Sequence, residues 1–179
     1  MRWKRIALSA LLAVGLCIGL MAGVSAQDAM ESVEESVEIE TSVTRYPIPG
    51  SDFPISQAVG IPADATLVYL SGQVPSVVNE SAERSTIAAF GNTETQTVSV
   101  LEKIEDILVS LDLTMGNVVK MQAFLVGDPE MDGRMDFAGF MDGYTQFFGT
   151  EEQPNLPSRS AMQIAGLVNP GWLVEIEVV

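Results

Sequence analysis

The sequence predicts an α+β domain in which two amphipathic helices pack on one face of a mixed β-sheet. The predicted order is two or three strands, a helix, a strand, a second helix and two final strands. In an α+β layout the helices pack on one face of a mixed sheet. The predicted domain, residues 47–179, is long enough for one hydrophobic core.

The chain begins with a pattern typical of a secretory signal peptide in residues 1–26. Arg2, Lys4 and Arg5 precede an uncharged apolar stretch, which ends in the small-residue site Val24-Ser25-Ala26. An uncleaved anchor is the alternative, since the apolar stretch is long enough to span a bilayer. The cleavage site favours removal after Ala26, and therefore a periplasmic or secreted protein with no membrane contact after cleavage.

The following segment, residues 27–46, is predicted to be a disordered acidic tail. It carries six carboxylates and no basic residue before Arg45. Met30, Val33 and Val37 lie at helical spacing, which leaves a short helix docked on a partner as the alternative.

The first half of the domain is predicted to contain two or three strands, one of them at residues 66–70, followed by one helix. Thr66 to Leu70 is β-branched and apolar and predicts a buried strand. Residues 75–92 are polar and predict a long loop. The capping-box pattern Thr93-Glu94-Thr95-Gln96 then opens a helix whose apolar side chains recur at helical spacing as far as Leu111.

The second half is predicted to be strand, helix, strand, strand. Residues 118–126 predict a strand, and aromatic side chains at helical spacing between Phe137 and Phe148 predict a helix that ends at Gly149, with its aromatic stripe in the core. Residues 159–167 and 172–179 predict two strands joined by a turn at residues 169–171. The far face of the sheet would stay partly apolar, which favours a homo-oligomer.

The composition excludes several classes of chemistry. The 179-residue chain has 24 acidic and 9 basic side chains, no histidine, and one cysteine, Cys17, which lies in the predicted signal. Cleavage after Ala26 would leave six basic side chains and a formal charge of −18. Such a chain has no disulfide framework, no zinc site of Cys and His ligands and no Ser-His or Cys-His nucleophile pair. The shortage of basic residues argues against nucleic-acid binding.

We expect neither a cofactor nor a metal site. The acidic residues between Asp128 and Asp136 resemble a calcium cluster in composition, but they lack the spacing of an EF-hand loop.

Three polar positions stand where the predicted strands make polar side chains unexpected: Arg159, Glu175 and Ser71-Gly72. An arginine can grip a small carboxylate through a bidentate fork, and a desolvated carboxylate can move protons near neutral pH. Gly72 either serves a turn or lets the backbone approach a ligand. The alternative is that Glu175 and Glu177 line the solvent face of an edge strand and that Arg159 pairs with one of them.

A series of short motifs resembles one protein family. In chain order they are Phe53-Pro54-Ile55-Ser56-Gln57, Tyr69-Leu70-Ser71-Gly72-Gln73, Asn117-Val118-Val119-Lys120, Tyr144-Thr145-Gln146-Phe147-Phe148, Pro157-Ser158-Arg159-Ser160 and Val174-Glu175-Ile176-Glu177. From Pro47 to Val179 the chain resembles the Rid family of reactive intermediate deaminases, also called YjgF-like or L-PSP proteins, as an atypical, exported member.

The resemblance implies a chorismate-mutase-like fold, assembled as a homotrimer with ligand sites between subunits. It implies hydrolytic deamination of reactive enamines and imines (2-imino acids) to 2-keto acids and ammonia, here in the cell envelope. By match, Arg159 would hold the substrate carboxylate, Glu175 would position and activate the attacking water, and Ser71, Gly72 and Ile55 would line the pocket.

Three positions depart from the deaminase archetype of the family. The archetype has Tyr where this chain has Ile55, Asn where it has Met141 and Cys where it has Ala161. Together with the acidic tail, the changes at Ile55 and Met141 keep a second interpretation open. In it the protein is a non-catalytic oligomer that binds small carboxylates or a protein partner.

Overall fold

The structure is a computed structural model that describes residues 42–179. The predicted signal peptide and residues 27–41 of the predicted tail lie outside the described residues. The strands are β1 (Thr44–Pro47), β2 (Ser56–Gly60), β3 (Lys120–Val126), β4 (Ser158–Ile164) and β5 (Val174–Val178), and the helices are α1 (Ile87–Phe90), α2 (Thr93–Ser110) and α3 (Phe137–Tyr144). Within residues 42–179, no helix combines the length and the apolar character needed to cross a membrane.

The main sheet has three strands in the order β4-β3-β5 and is mixed, because β3 runs parallel to β4 and antiparallel to β5. Side chains alternate between its two faces. One face carries Met121, Ala123 and Ile176, all fully buried under the helices, whereas the opposite face carries Phe124 and Glu175. The predicted α+β class with a mixed sheet is therefore confirmed.

The core lies between this sheet and the helices. Helix α2 packs on α3 and on β5. Its apolar stripe, including Leu101 and Ile104, joins Phe140, Tyr144 and Phe148 in one buried cluster. The aromatic stripe predicted for the second helix is thus part of the core, although α3 ends at Tyr144 and residues 145–148 continue as turns.

The prediction of a buried strand at Thr66 to Leu70 is wrong. The segment belongs to no strand. Leu70 N–H donates to Val178 O (3.0 Å), and Gln73, three residues further on, pairs with Ile176 as an isolated bridge. Leu70 is buried and Val68 packs against the core, but Tyr69 is 72% exposed.

Two details of the first helix also differ from the prediction. Asn92, rather than Thr93, is the N-cap, and its side chain accepts from Thr95 N–H (3.0 Å). Gln96 makes tertiary bonds instead of closing a capping box: its amide donates to Gly91 O and Gly171 O and accepts from Leu173 N–H. The predicted loop before α2 contains the short helix α1.

A two-stranded sheet of β1 and β2 begins the described domain. The strands are antiparallel, with Thr44 opposite Gly60. Residues 44–46 therefore belong to the folded domain, three residues ahead of the predicted boundary at Pro47. Arg45 explains why, since its guanidinium donates to the carbonyls of Gly116, Val118 and Leu156 at 2.9, 3.0 and 2.7 Å.

Candidate functional site

Arg159 lies at the start of β4, in a box of aromatic rings. It pairs in register with Met121, which places it on the helix-facing side of the sheet. Its Cζ atom lies 4.2 Å from the ring centroid of Tyr144, 5.0 Å from Phe140, 5.6 Å from Phe53 and 5.9 Å from Phe137. A guanidinium within about 6 Å of an aromatic face is attracted by the ring quadrupole. Four rings therefore hold this cation without neutralising it.

The guanidinium of Arg159 has unused hydrogen-bonding capacity. Nη2 donates to the thioether sulfur of Met141 (3.1 Å), while Nη1 is buried and has no partner. In the described part of the chain, no carboxylate lies within 4.0 Å of Arg159, and the ion pair found there joins Arg84 and Glu80. The alternative that Arg159 pairs with Glu175 or Glu177 is therefore wrong within one chain.

Tyr144 lines this aromatic box with an uncharged phenol ring. Burial raises its pKa above the ordinary range, and the positive charge of Arg159 offsets only part of that rise. Burial likewise lowers the pKa of Arg159, with the nearby Tyr144 acting against it. The Tyr144 hydroxyl donates to Pro54 O (2.9 Å), so its proton is committed to the protein. Its oxygen can still accept a hydrogen bond, and it interacts with the Arg159 side chain.

Glu175 lies elsewhere. On β5 it faces Phe124 of β3, with Glu177 two residues on, and this face is opposite to the one that carries Arg159. One chain therefore does not bring Arg159 and Glu175 together on one side of the sheet.

Gly72 and Glu175 are brought together. A Cβ atom at Gly72 would lie 2.8 Å from the carboxyl carbon of Glu175 and closer still to Oε1. The bridge between Gln73 and Ile176 holds this approach, as does Lys103, whose ammonium donates to Val74 O (2.7 Å). The absence of a Cβ atom at Gly72 therefore makes room for a protein carboxylate, that of Glu175.

Ser71 and Ile55 belong to different halves. Ser71 is exposed beside Gly72, and its carbonyl accepts from the Gln73 side chain (2.9 Å). Ile55 is half-buried in the segment that carries Phe53 and Pro54, which contact Arg159 and Tyr144. We call Arg159 with its aromatic rings, Met141 and Ile55 the anchor half-site, and Glu175 with Ser71 and Gly72 the carboxylate half-site.

Asp128 and Asp136, the first and last of the acidic residues in the segment 128–136, serve local structure. Asp128 accepts from Glu130 N–H (2.8 Å), and Asp136 caps α3 by accepting from Gly139 N–H (2.9 Å). Among residues 42–179, no three acidic side chains converge on a site suited to a metal ion.

Comparison with known proteins decides the family. The family model described as Endoribonuclease L-PSP matches residues 49–179. The chain belongs to the L-PSP family. TdcF of Escherichia coli K12, named as a reactive intermediate deaminase, is 33% identical over 119 residues, which are 66% of this chain and 80% of TdcF.

Two solved structures extend the comparison of this L-PSP chain. A Rid-family protein of Yersinia pestis, YyfB, has the same fold with a TM-score of 0.57 at 20% identity, covering 76% of this chain and 96% of that one. The crystal structure of E. coli TdcF with bound serine is 29% identical, covers 76% of this chain and 94% of that one, and has a TM-score of 0.49. The YyfB likeness supports the predicted YjgF-like fold.

The sequence motifs do not indicate which side chains surround Arg159. Phe53 and Tyr144 lie within motifs, and the helical aromatic stripe predicts core packing, but neither feature indicates a contact with the arginine. The available signal was the pairing of that stripe with a nearby conspicuous arginine. Arg45 carries no motif, and nothing in its neighbours distinguishes it from a surface arginine.

Proposed function

We propose that this L-PSP chain hydrolyses reactive imines: 2-imino acids become 2-keto acids and ammonia. The observation that carries the proposal is the buried, unpartnered Nη1 of Arg159 in a box without a carboxylate. A buried donor left without an acceptor destabilises a protein by about 1–3 kcal/mol. A ligand carboxylate would satisfy it with charge-assisted bonds in a water-poor setting, where such bonds are strongest.

Glu175 is proposed to handle the proton and the water. With the imine nitrogen protonated, the carboxylate would accept a proton from water as the water oxygen bonds to the imine carbon and the C=N π electrons move to nitrogen, giving a neutral tetrahedral carbinolamine. The same carboxylate would then deliver that proton to nitrogen. As the C–N bond breaks and ammonia leaves, the carbinolamine hydroxyl would return its proton to the carboxylate, and the C=O bond of the keto acid would form. The substrate is already electrophilic, so positioning and one proton carrier are sufficient.

We further propose a homotrimer in which each site joins the anchor half-site of one subunit to the carboxylate half-site of its neighbour. The position of Arg159 and Glu175 on opposite faces of one sheet supports this arrangement, because a ligand about the size of an imino acid cannot reach both within one chain. A ring of three copies repeats the same contact three times and closes.

We propose that the reaction takes place in the cell envelope or outside the cell, on the strength of residues 1–26 alone. Mass measurement of the protein recovered from fractionated cells tests this. A mature chain that begins at Gln27 is expected, whereas recovery of the full chain from the cytoplasm would contradict it.

RNA cleavage, which the name of the family model mentions, is not the reaction we propose. The chain has a net charge of −15. Of its described basic residues, Arg45, Lys103 and Arg159 are directed into the protein, on backbone carbonyls or in the aromatic box. Affinity for polyanions depends on basic side chains that can reach phosphates.

The test uses imines generated in place by an amino-acid oxidase, with keto acid formation followed over time. Wild type is expected to accelerate keto acid release, Arg159→Ala to lose the acceleration, and Arg84→Ala, a change at an exposed arginine, to keep it. Equal rates for wild type and Arg159→Ala would refute the proposal.

A second function, carboxylate binding without turnover, is favoured by a separate observation. The anchor half-site contains no acid or base near the guanidinium, since Tyr144 is held neutral and hydrogen-bonded. Calorimetry with pyruvate distinguishes the two: Arg159-dependent binding by a protein that does not speed imine hydrolysis supports the binding function.

A further inference from the structure

Arg45 is a partly buried cation that the proposed reaction does not use. Its guanidinium is half-buried and donates to three backbone carbonyls, those of Gly116, Val118 and Leu156. Burial lowers its pKa. No carboxylate lies within 4.0 Å of it in the described residues. Three carbonyls from two loops on one guanidinium make a rigid crosslink, because the planar fork fixes the direction of every bond.

The segments that Arg45 crosslinks lead into β4, which carries Arg159, and into β3, which pairs with it. Gly116 and Val118 lead into β3, and Leu156 leads into β4, three residues before Arg159. The parallel pairing starts here too, where Ser158 N–H donates to Val119 O (3.1 Å). The start of β4 relative to β3 is therefore set by the loop carbonyls that Arg45 holds.

A second side chain, that of Ser56, donates to the same Leu156 carbonyl. Ser56 Oγ donates to Leu156 O at 2.7 Å, the same distance as from Arg45 Nη1, and Ser56 N–H donates to Pro157 O (3.0 Å). Ser56 also follows Pro54, whose carbonyl holds the Tyr144 hydroxyl beneath the guanidinium of Arg159. The β1–β2 sheet thus fixes both the chain that carries Arg159 and the ring against which it rests.

We propose that Arg45 is a positioning residue for the Arg159 anchor and that it acts through the Leu156 carbonyl, with Ser56 as its partner. The role in ligand binding rests on the proposed function, whereas the effect on Arg159 does not. A lysine at position 45 would keep the charge but replace the planar fork with a point donor, so the three carbonyls would no longer be held in one geometry.

The first measurement is the ¹H–¹⁵N spectrum of the Arg159 Nε–Hε group, assigned by its loss in Arg159→Lys. Four rings around the guanidinium give this proton a shift far from that of free arginine. In Arg45→Lys and in Ser56→Ala we expect the signal to move toward the free value while the α2 backbone signals stay in place. An unmoved Arg159 signal in both variants would overturn the inference whether or not the protein binds ligands.

The second measurement is the dissociation constant for pyruvate, taken at a temperature where all variants are folded. Arg45→Lys is expected to weaken binding about tenfold, and Arg84→Lys, the same exchange at an exposed position, to leave it unchanged. Absence of pyruvate binding in wild type would contradict the proposed function and leave the spectral test decisive for Arg45. Full affinity in Arg45→Lys would overturn the positioning role.

Discussion

Replacing Gly72 by alanine is expected to impair turnover without unfolding the protein. The added methyl would lie 2.8 Å from Cδ and 3.0 Å from Cγ of Glu175, whereas ordinary carbon contacts begin at about 3.5 Å. The carboxylate is the far end of a flexible side chain, so it is the group that moves. Since the conflict also involves Oε1, we expect a displacement of about 1 Å, and a misplacement of that size can lower a rate about 100-fold.

The stability of this variant should change little. The backbone at Gly72 does not adopt a positive φ, so alanine fits without backbone strain. A glycine-to-alanine exchange of that kind stabilises by about 0.4–1 kcal/mol through the unfolded chain, which offsets part of the side-chain rearrangement. We therefore expect the free energy of unfolding to stay within about 1 kcal/mol of wild type.

The assay is steady-state hydrolysis of oxidase-generated imines, with pyruvate affinity measured in parallel. We expect kcat to fall about 100-fold and pyruvate affinity to persist, because the anchor half-site is untouched. Gly166→Ala is the matched control, since a Cβ there meets nothing within 4 Å. The double variant Gly72→Ala/Glu175→Asp should recover part of the rate, because a shorter side chain makes room for the methyl. Wild-type kcat in Gly72→Ala would refute the role given to Glu175.

The remaining predictions concern assembly, pH and the core. The variants Arg159→Ala and Glu175→Ala are each expected to be inactive alone. When they are unfolded and refolded together in equal amounts, about a quarter of wild-type activity should return, because a quarter of the sites then combine two intact half-sites. No recovery would place both groups in the site of one subunit. Burial raises the pKa of Tyr144, so the folded chain holds this proton more tightly than the unfolded chain, and its contribution to stability should decline as pH rises above about 10. Urea unfolding at pH 8 and 11 should show that decline in wild type and less of it in Tyr144→Phe, and equal declines would contradict the assignment. Gln96→Leu, which unpairs three buried backbone groups, should lower the free energy of unfolding by about 3 kcal/mol or more, against little change for the exposed Gln57→Leu; a small loss in urea unfolding would show that these groups find other partners.

The fold could be predicted from the sequence where periodicity is strong. The apolar stripe from Val100 to Leu108 predicts a helix packed on the sheet, and in the structure these residues lie in α2 with the stripe in the core. The prediction of a strand at residues 66–70 is wrong because β-branched residues favour an extended chain but do not determine whether it pairs with a neighbouring strand along its whole length. The capping-box prediction at Gln96 is wrong for a different reason: two of its three partners, Gly171 and Leu173, are distant in sequence and approach it only in the folded chain.

The motifs name candidate residues of the site but do not predict how they are arranged. Motif order singles out Arg159, Glu175 and Gly72, and the structure places Gly72 against the Glu175 side chain. Motifs carry no information on which face of a sheet a residue occupies when the register is unknown, since a shift of one residue reverses every face. The separation of Arg159 from Glu175 follows from the pairings Met121 with Arg159 and Phe124 with Glu175, which only the structure supplies.

The acidity of the chain bears on how Arg159 could bind a carboxylate ligand. A protein with a net charge of −15 repels carboxylate ligands at long range, although at physiological ionic strength that field decays over about 8 Å. Affinity for a carboxylate must therefore come from a local cation that no protein acid neutralises. With 24 acidic side chains available, an exposed arginine would readily find a partner, as Arg84 does with Glu80. Arg159 differs, because within residues 42–179 aromatic rings rather than carboxylates surround its guanidinium and stabilise the cation by their faces. Its unpartnered Nη1 is the donor that we propose for a ligand carboxylate.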